Sequence, residues 1–336
     1  MNMKRWFAIL GAFILLTVSI FVNTLSSVFS TDWSTLMDEI ASASGTEFYE
    51  TVLEPGSGSN RIALLTVDGT IQNTGSAGLF ATETYNHAFF MQQLEQVKAD
   101  DSVSAIVLSV NTPGGGVVES AEIHRKLVEI QQETEKPIYV SMGSMAASGG
   151  YYISAPADKI FVTKETLTGS IGVIMQGVNY GELAEKYGVE FVTIKSGKYK
   201  DIMSATREMT ETERGMLQEI IDDSYEGFVD VIEEGRNMTE QEVKKVADGR
   251  ILNGRQAIEA GLADEYGFLE DTVAAIKADY RLENAEVFQY GYSPSFSSLF
   301  AMKAQSFLGV DIETQMITKL ITDNSAPKMM YLYGNE

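Results

Sequence analysis

The stretch Pro137-Ile138-Tyr139-Val140-Ser141-Met142 leads through Gly143 into Ser144-Met145-Ala146-Ala147-Ser148-Gly149-Gly150-Tyr151. Its first part is a short apolar run that reads as a buried strand. Its second part is dense in small residues, which let a backbone approach closely and leave a hydroxyl at a helix start, where the dipole favours developing negative charge. Working outward, Ile62 to Val67 (bounded by Asp68-Gly69) and Val103 to Val110 are further apolar runs, and Lys159 to Val162 and Phe191 to Ile194 continue the series of expected strands. Between them Ile123, Leu127 and Ile130 recur at helical spacing among Glu, Gln and Lys. Alternation of strands and helices implies an α/β fold with a mainly parallel sheet under helical cover. Further on, Thr210-x-x-Glu213 and Thr239-x-x-Glu242 predict capping boxes that open two helices, the first with Leu217, Ile221, Phe228 and Ile232 on its buried stripe.

The amino terminus has a different character. From Trp6 to Thr31 no residue is charged, and Trp6 to Val22 is interrupted only by Gly11, Thr17 and Ser19. A helix needs about 20 such residues to cross the hydrocarbon core, whereas a cleaved secretory signal has an apolar core of about 7 to 15 and then an Ala-x-Ala-like site. This run is longer, and Ala41-Ser42-Ala43 lies well beyond it. Residues 6–29 are therefore expected to form one transmembrane helix. Lys4 and Arg5 precede the run and Asp32, Asp38, Glu39, Glu47 and Glu50 follow it, so residues 1–5 are expected to be cytoplasmic and the rest exported. Residues 30–60 end in Pro55-Gly56-Ser57-Gly58-Ser59-Asn60, a tether composition. The folded domain is expected over 61–300, with an extension over 301–336.

Composition narrows the chemistry. Lys plus Arg number 25 against 47 Asp plus Glu, a net charge of −22, and no basic cluster appears, so nucleic acid is not expected as a partner. Cysteine is absent, which excludes disulfides, thiol catalysis and Cys-ligated metals. Only His87 and His124 could supply imidazole, and His124 is expected on the outer face of its helix. If Ser148 is a nucleophile, a desolvated lysine is the obvious substitute base.

Three other segments follow expected strands. Asn111-Thr112-Pro113-Gly114-Gly115-Gly116 precedes a helix, and its backbone amides can point at an anionic oxygen; a tight turn is the alternative. It is not a dinucleotide or Walker loop, since no Gly-x-Gly-x-x-Gly occurs and no Gly-Lys-Ser/Thr follows. Thr168-Gly169-Ser170-Ile171-Gly172 adds a hydroxyl, and Lys195-Ser196-Gly197-Lys198-Tyr199-Lys200-Asp201 adds amines that in such a loop are normally solvated.

These blocks, with Gly249-Arg250, Gly254-Arg255-Gln256-Ala257 and Gly261-Leu262-Ala263-Asp264 after them, together resemble the signal peptide peptidase A family over roughly residues 60 to 280. These are membrane-bound Ser/Lys serine peptidases related in fold to the Clp protease and crotonase superfamily. The resemblance implies Ser148 as nucleophile, Lys200 as general base, Ser170 hydrogen-bonded to that lysine, and an oxyanion hole at the amides of Gly115 and Gly149. Spacing alone leaves Lys195 and Lys198 open as the base, and Asp201 must point away from the working lysine. No metal or organic cofactor is implied. The implied substrates are apolar peptides, including released signal peptides, at the outer face of a bacterial cytoplasmic membrane, with a homo-oligomer, an octamer in this single-copy form, as the working unit. Two rivals are an acyl-CoA enzyme of crotonase type, which export argues against, and a non-catalytic anchored scaffold. The terminal apolar run Met329-Met330-Tyr331-Leu332-Tyr333 is expected to be mobile and, like an apolar substrate, able to enter an active-site groove.

Overall fold

The computed structural model describes residues 48–73, 85–292 and 329–333. The expected anchor 6–29 and most of the 301–336 extension lie outside the described residues, among which no helix is long and apolar enough to cross a membrane. Nearly all described residues belong to one unit, Glu50–Gly291 with Glu313–Glu336.

In chain order the elements are β1 (Phe48–Glu54), β2 (Ser57–Asp68), α1 (His87–Ala99), β3 (Val103–Thr112), β4 (Gly114–Gly116), α2 (Val117–Thr134), β5 (Ile138–Ala147), α3 (Gly149–Ser154), β6 (Lys159–Val162), β7 (Leu167–Gly169), β8 (Ile174–Met175), α4 (Gly181–Lys186), α5 (Glu211–Arg236), α6 (Glu240–Lys244), β9 (Ile251–Asn253), α7 (Gly254–Glu259), β10 (Glu265–Tyr266), α8 (Leu269–Asp279), β11 (Ala285–Tyr292) and β12 (Met329–Leu332). The main sheet runs β1-β11-β2-β3-β5-β6-β10, with β7 beside the end of β5 and β9 beside β7. From β11 to β10 every pairing on this path is parallel, and only β7 with β9 is antiparallel. The expected parallel α/β sheet is therefore present.

Side chains alternate between the two faces of a strand, and both faces here are apolar. Ala63, Leu65, Ile106, Leu108 and Val140 pack with Leu94 of α1, Ile123 and Leu127 of α2 and Phe228 of α5. Ile62, Leu64, Ala105, Val107 and Tyr139 face the other way, onto Val273 and Ile276 of α8. The central strands consequently read as near-continuous apolar runs, which is why they were legible.

The structure departs from the sequence expectations at several elements. Phe191 to Ile194 forms no strand; Val192 and Ile194 are 80% and 96% exposed. Within the stretch assigned to a tether, the chain forms β1 and the start of β2. On α5 the second half of the expected stripe, Phe228 and Ile232, is buried, while Leu217 and Ile221 are half-buried because the first half projects past the α3 contact. Both predicted capping boxes are present, at Thr210 with Glu213 and at Thr239 with Glu242.

Ile123 is fully buried between α2 and the sheet. Ile123→Ala should lower stability by about 2–5 kcal/mol, read as a lower denaturant midpoint at unchanged slope.

Candidate active site

The site is built at the C-terminal end of β5. Ala147 pairs with Gly169 of β7, and the next residue on each strand leaves the ladder with positive φ: Ser148 at 53° and Ser170 at 50°. Both are strained, at about 1–3 kcal/mol each for a non-glycine residue. Each is fixed by a backbone bond, Ser148 N–H to Gly169 O at 2.8 Å and Ser170 N–H to Arg250 O at 2.8 Å. Ser148 stands at the N-cap of α3, yet its ψ of −114° turns the hydroxyl away from the helix and no capping bond forms. Its Oγ is buried and without a hydrogen-bond partner. A buried, unpaired hydroxyl costs about 1–3 kcal/mol, which marks it as held for something other than packing.

Glycines keep the surrounding space open for backbone. A Cβ on Gly114, whose φ is 104°, would lie 2.7 Å from Gly149 N and 2.0 Å from Tyr331 O; one on Gly149 would lie 3.1 Å from Gly115 N. The amides of residues 115 and 149 thus border one small gap beside Ser148. Thr112 Oγ1 accepts from Gly114 N at 3.0 Å and holds the glycine turn in place. Ser120, near the start of α2, carries no sequence signal of its own. Its Oγ is fully buried, has no hydrogen-bond partner among the described residues and lies 2.7 Å from the Gly149 Cβ position.

The carbonyl in that gap belongs to the chain's own tail. β12 lies antiparallel between β4 and β8, with Tyr331 opposite Gly115 and Met330 opposite both Gly116 and Ile174. Tyr333 N–H donates to Pro113 O at 2.9 Å, and the alternation of antiparallel pairs makes Gly115 and Tyr331 the next hydrogen-bonded pair. The Tyr331 ring is buried, stacked on Tyr152 at 5.0 Å and 4.7 Å from Phe228, with its hydroxyl donating to Ser224 O at 3.0 Å. The tail expected to be mobile is thus an ordered strand in the groove, because this edge offers both backbone partners and an aromatic pocket.

Neither histidine is placed to assist Ser148. Both ring nitrogens of His87 are engaged, with Tyr85 Oη at 2.7 Å and Glu122 Oε2 at 2.8 Å. His124 is not on the outer face of its helix, as its polarity suggested. It packs edge-on against Tyr152 at 5.3 Å, and burial lowers its pKa to about 4, so it is a neutral packing group.

The lysines lie apart from the two serines. Lys195 donates to Asp201 Oδ1 at 2.6 Å, Lys198 sits over the Tyr199 ring, and Lys200 is exposed with no side-chain partner among the described residues. Within one chain, therefore, Lys200 is hydrogen-bonded neither to Ser148 nor to Ser170. A cavity of about 870 Å³ borders this segment, lined by Asn179, Glu182, Phe191 and Arg207 among others, and does not include Ser148.

A serine on a strained strand-to-helix turn, two glycine amides beside it and a peptide strand paired alongside define a serine peptidase. Comparison with known proteins agrees. The model of peptidase family S49 matches residues 130–283. The chain is 40% identical, over 99% of both chains, to a protein of Enterococcus faecium named for signal peptide peptidase SppA. It is 38% identical to a protein of Methanocaldococcus jannaschii named as a protease, over 64% of this chain and 68% of that one, and 34% identical to protease 4 of Haemophilus influenzae, over 64% of this chain and 34% of the relative. The chain belongs to peptidase family S49.

Gly149→Ala keeps the amide but puts a Cβ 2.7 Å from Ser120 Oγ and 3.1 Å from Gly115 N, so it should displace the paired amides and lower kcat on a peptide about 100-fold, the scale of losing one oxyanion donor, while the circular dichroism spectrum stays that of the parent protein. Retention of full activity would mean that the spacing of these two amides is not used.

Proposed function

We propose that this chain is a membrane-anchored endopeptidase of Clp protease/crotonase-like fold. In this reading it cleaves apolar, extended peptides, released signal peptides among them, at the outer face of a bacterial cytoplasmic membrane. The observation that carries the reading is the tail strand: a peptide lies on β4 by main-chain pairing, with its Tyr331 side chain in an aromatic pocket and its carbonyl at the amide of Gly115. Main-chain pairing gives affinity for any extended segment, and the pocket selects an apolar or aromatic side chain.

In the mechanism, Ser148 Oγ attacks the scissile carbonyl, a neutral Lys200 amine takes its proton, and the amides of Gly115 and Gly149 receive the oxyanion. The ammonium of Lys200 then protonates the leaving amine. Water repeats the cycle on the acyl-enzyme, and Ser170 orients the lysine. A lysine must shift from about 10.4 toward neutrality for this, which desolvation supplies. An exposed Lys200 is not desolvated within its own chain. Its segment also carries Val178, Tyr187, Val192 and Ile194 at 73%, 81%, 80% and 96% exposure. That supports a homo-oligomer in which this segment packs on a neighbour and brings Lys200 to that neighbour's Ser148. Closed cyclic symmetry then completes every site, and an octamer is the proposed assembly.

Ser148→Ala and Lys200→Ala should each abolish cleavage of an apolar peptide, and Ser170→Ala should be milder. Mixing the two dead variants under conditions that exchange subunits should restore partial activity. Verified exchange without recovery would place both groups in one chain. Mass spectrometry of the intact chain tests the groove: the active protein should lose its terminal residues and Ser148→Ala should keep them. Identical termini in the two would remove tail processing.

A further inference from the structure

Lys200 is followed directly by a carboxylate, Asp201, the partner that would hold an amine in its charged form. That carboxylate is committed elsewhere. Arg207 grips it in bidentate fashion, Nε to Oδ2 at 2.9 Å and Nη2 to Oδ1 at 2.7 Å, and Nη2 also donates to the Asp201 carbonyl at 3.1 Å. Lys195 adds a bond to Oδ1 at 2.6 Å. The remaining edge of the guanidinium forks onto Glu213, Nη1 to Oε2 at 2.9 Å and Nη2 to Oε1 at 2.5 Å, and Nη1 also reaches Glu208 O at 2.9 Å.

Glu213 is itself immobilised. Its side chain is 3% exposed, and it accepts from Thr210 N and Thr210 Oγ1, both at 2.9 Å, in the capping box that opens α5. A rigid chain of charge therefore runs from the start of a long helix through Arg207 to the backbone and side chain of residue 201. Arg207 first and Lys195 second hold the Asp201 carboxyl well below the usual carboxylate range, and Arg207 lowers Glu213 to about 2. Both acids are thus ionised and paired wherever a peptidase would work.

We propose that Arg207, anchored on Glu213, is a positioning residue for Lys200: it removes the Asp201 carboxylate from reach of the lysine amine and fixes the loop that presents the amine. The proposal rests on the reading of Lys200 as general base. Only a planar guanidinium can serve both carboxylates at once, because its donors form a fork that matches two bidentate acceptors. The charged groups on the same loop as Lys200 are Lys195, Lys198, Asp201 and Arg207, with Glu208 and then Glu213 of α5 beyond the guanidinium. Asp201 is the one carboxylate adjacent to it in the chain. With the clamp intact, the acid next to Lys200 in the chain is already paired with Arg207 and Lys195 and is withheld from the amine.

The test is the pH dependence of kcat/KM on an apolar fluorogenic peptide, using the assembled full-length enzyme. A base must be neutral to act, so the acid limb reports its deprotonation. In Arg207→Gln Asp201 keeps only Lys195, on Oδ1, and its Oδ2 becomes available to Lys200, so the limb should move upward by up to about one pH unit, an approximately tenfold loss on the limb with the alkaline plateau kept. Adding Asp201→Asn to Arg207→Gln should bring the limb back to its wild-type position. Glu213→Gln keeps an oxygen for the Thr210 capping bonds while weakening the anchor of Arg207, and should shift the limb the same way by less. It carries the test if Arg207→Gln does not assemble. A limb at the wild-type position in these variants, or no return in the double variant, would overturn the clamp. Lys200→Ala separates the two ideas: activity in that variant removes Lys200 as the base, whereas an inactive Lys200→Ala beside an unshifted Arg207→Gln removes only the clamp.

Discussion

The last rung between β5 and β7, Ser148 N–H to Gly169 O, is the bond on which the site depends. Up to that rung the two strands follow ordinary parallel pairing through Ala147 and Gly169. Immediately after it both chains turn into positive φ, a conformation that persists only where the surroundings over-determine it. Those surroundings are close-packed. Gly150 leaves no room for a side chain because Thr112 Cγ2 would lie 2.7 Å from its Cβ, and a Cβ on Gly149 would lie 2.7 Å from Ser120 Oγ and 3.1 Å from Gly115 N. The close approach of β3, β4 and α3 fixes where the hydroxyl points, and the bulk of the apolar sheet keeps that approach rigid. Moving the rung by one residue would turn Ser148 toward the core and put Ala147 in its place.

The same glycines that crowd the turn at Ser148 make β4 a receptor for a peptide strand. A strand docked there meets unobstructed backbone on one side and, past α3, the aromatic walls of Tyr152 and Phe228. Recognition is divided accordingly: pairing along Gly114–Gly116 is indifferent to sequence, while one buried side chain is not. The proposed cleavage of many different apolar segments would need this division, because affinity must then not depend on a long matching sequence.

Much of this was legible in the chain itself. The buried parallel strands announce themselves as β-rich apolar runs, the capping boxes by residue spacing, and the glycine turns by composition. What stayed hidden depends on distant partners. The four residues of β12 carry no period of their own and become a strand only because Gly114–Gly116 and Ile174–Met175, far away in sequence, supply both edges. Phe191 to Ile194 has the apolar content of a strand but no neighbour to pair with among the described residues, and its side chains stand exposed. His124 is polar, and what draws it inward is the aromatic cluster around Tyr152, assembled from segments distant in the chain. Ser120 was one serine among many until the Cβ position of Gly149 fell beside it.

The separation of the two chemical groups has a physical logic of its own. A nucleophile needs burial, because a dry site strengthens the amide dipoles that stabilise the oxyanion. A lysine base needs burial too, but burying an amine at synthesis would impose its desolvation cost on the folding of every single chain. If Lys200 is the base, as proposed, its place on an exposed segment, with Asp201 locked into Arg207 and Glu213, lets the chain fold with the amine in solvent and the loop already shaped. In the proposed assembly the desolvation is then supplied by the burial of the exposed apolar side chains around it, Val192 and Ile194 among them, when neighbouring subunits meet. On the proposed reading the free energy of association, and not that of folding, would supply this desolvation, and an isolated chain would hold the serine and the lysine apart.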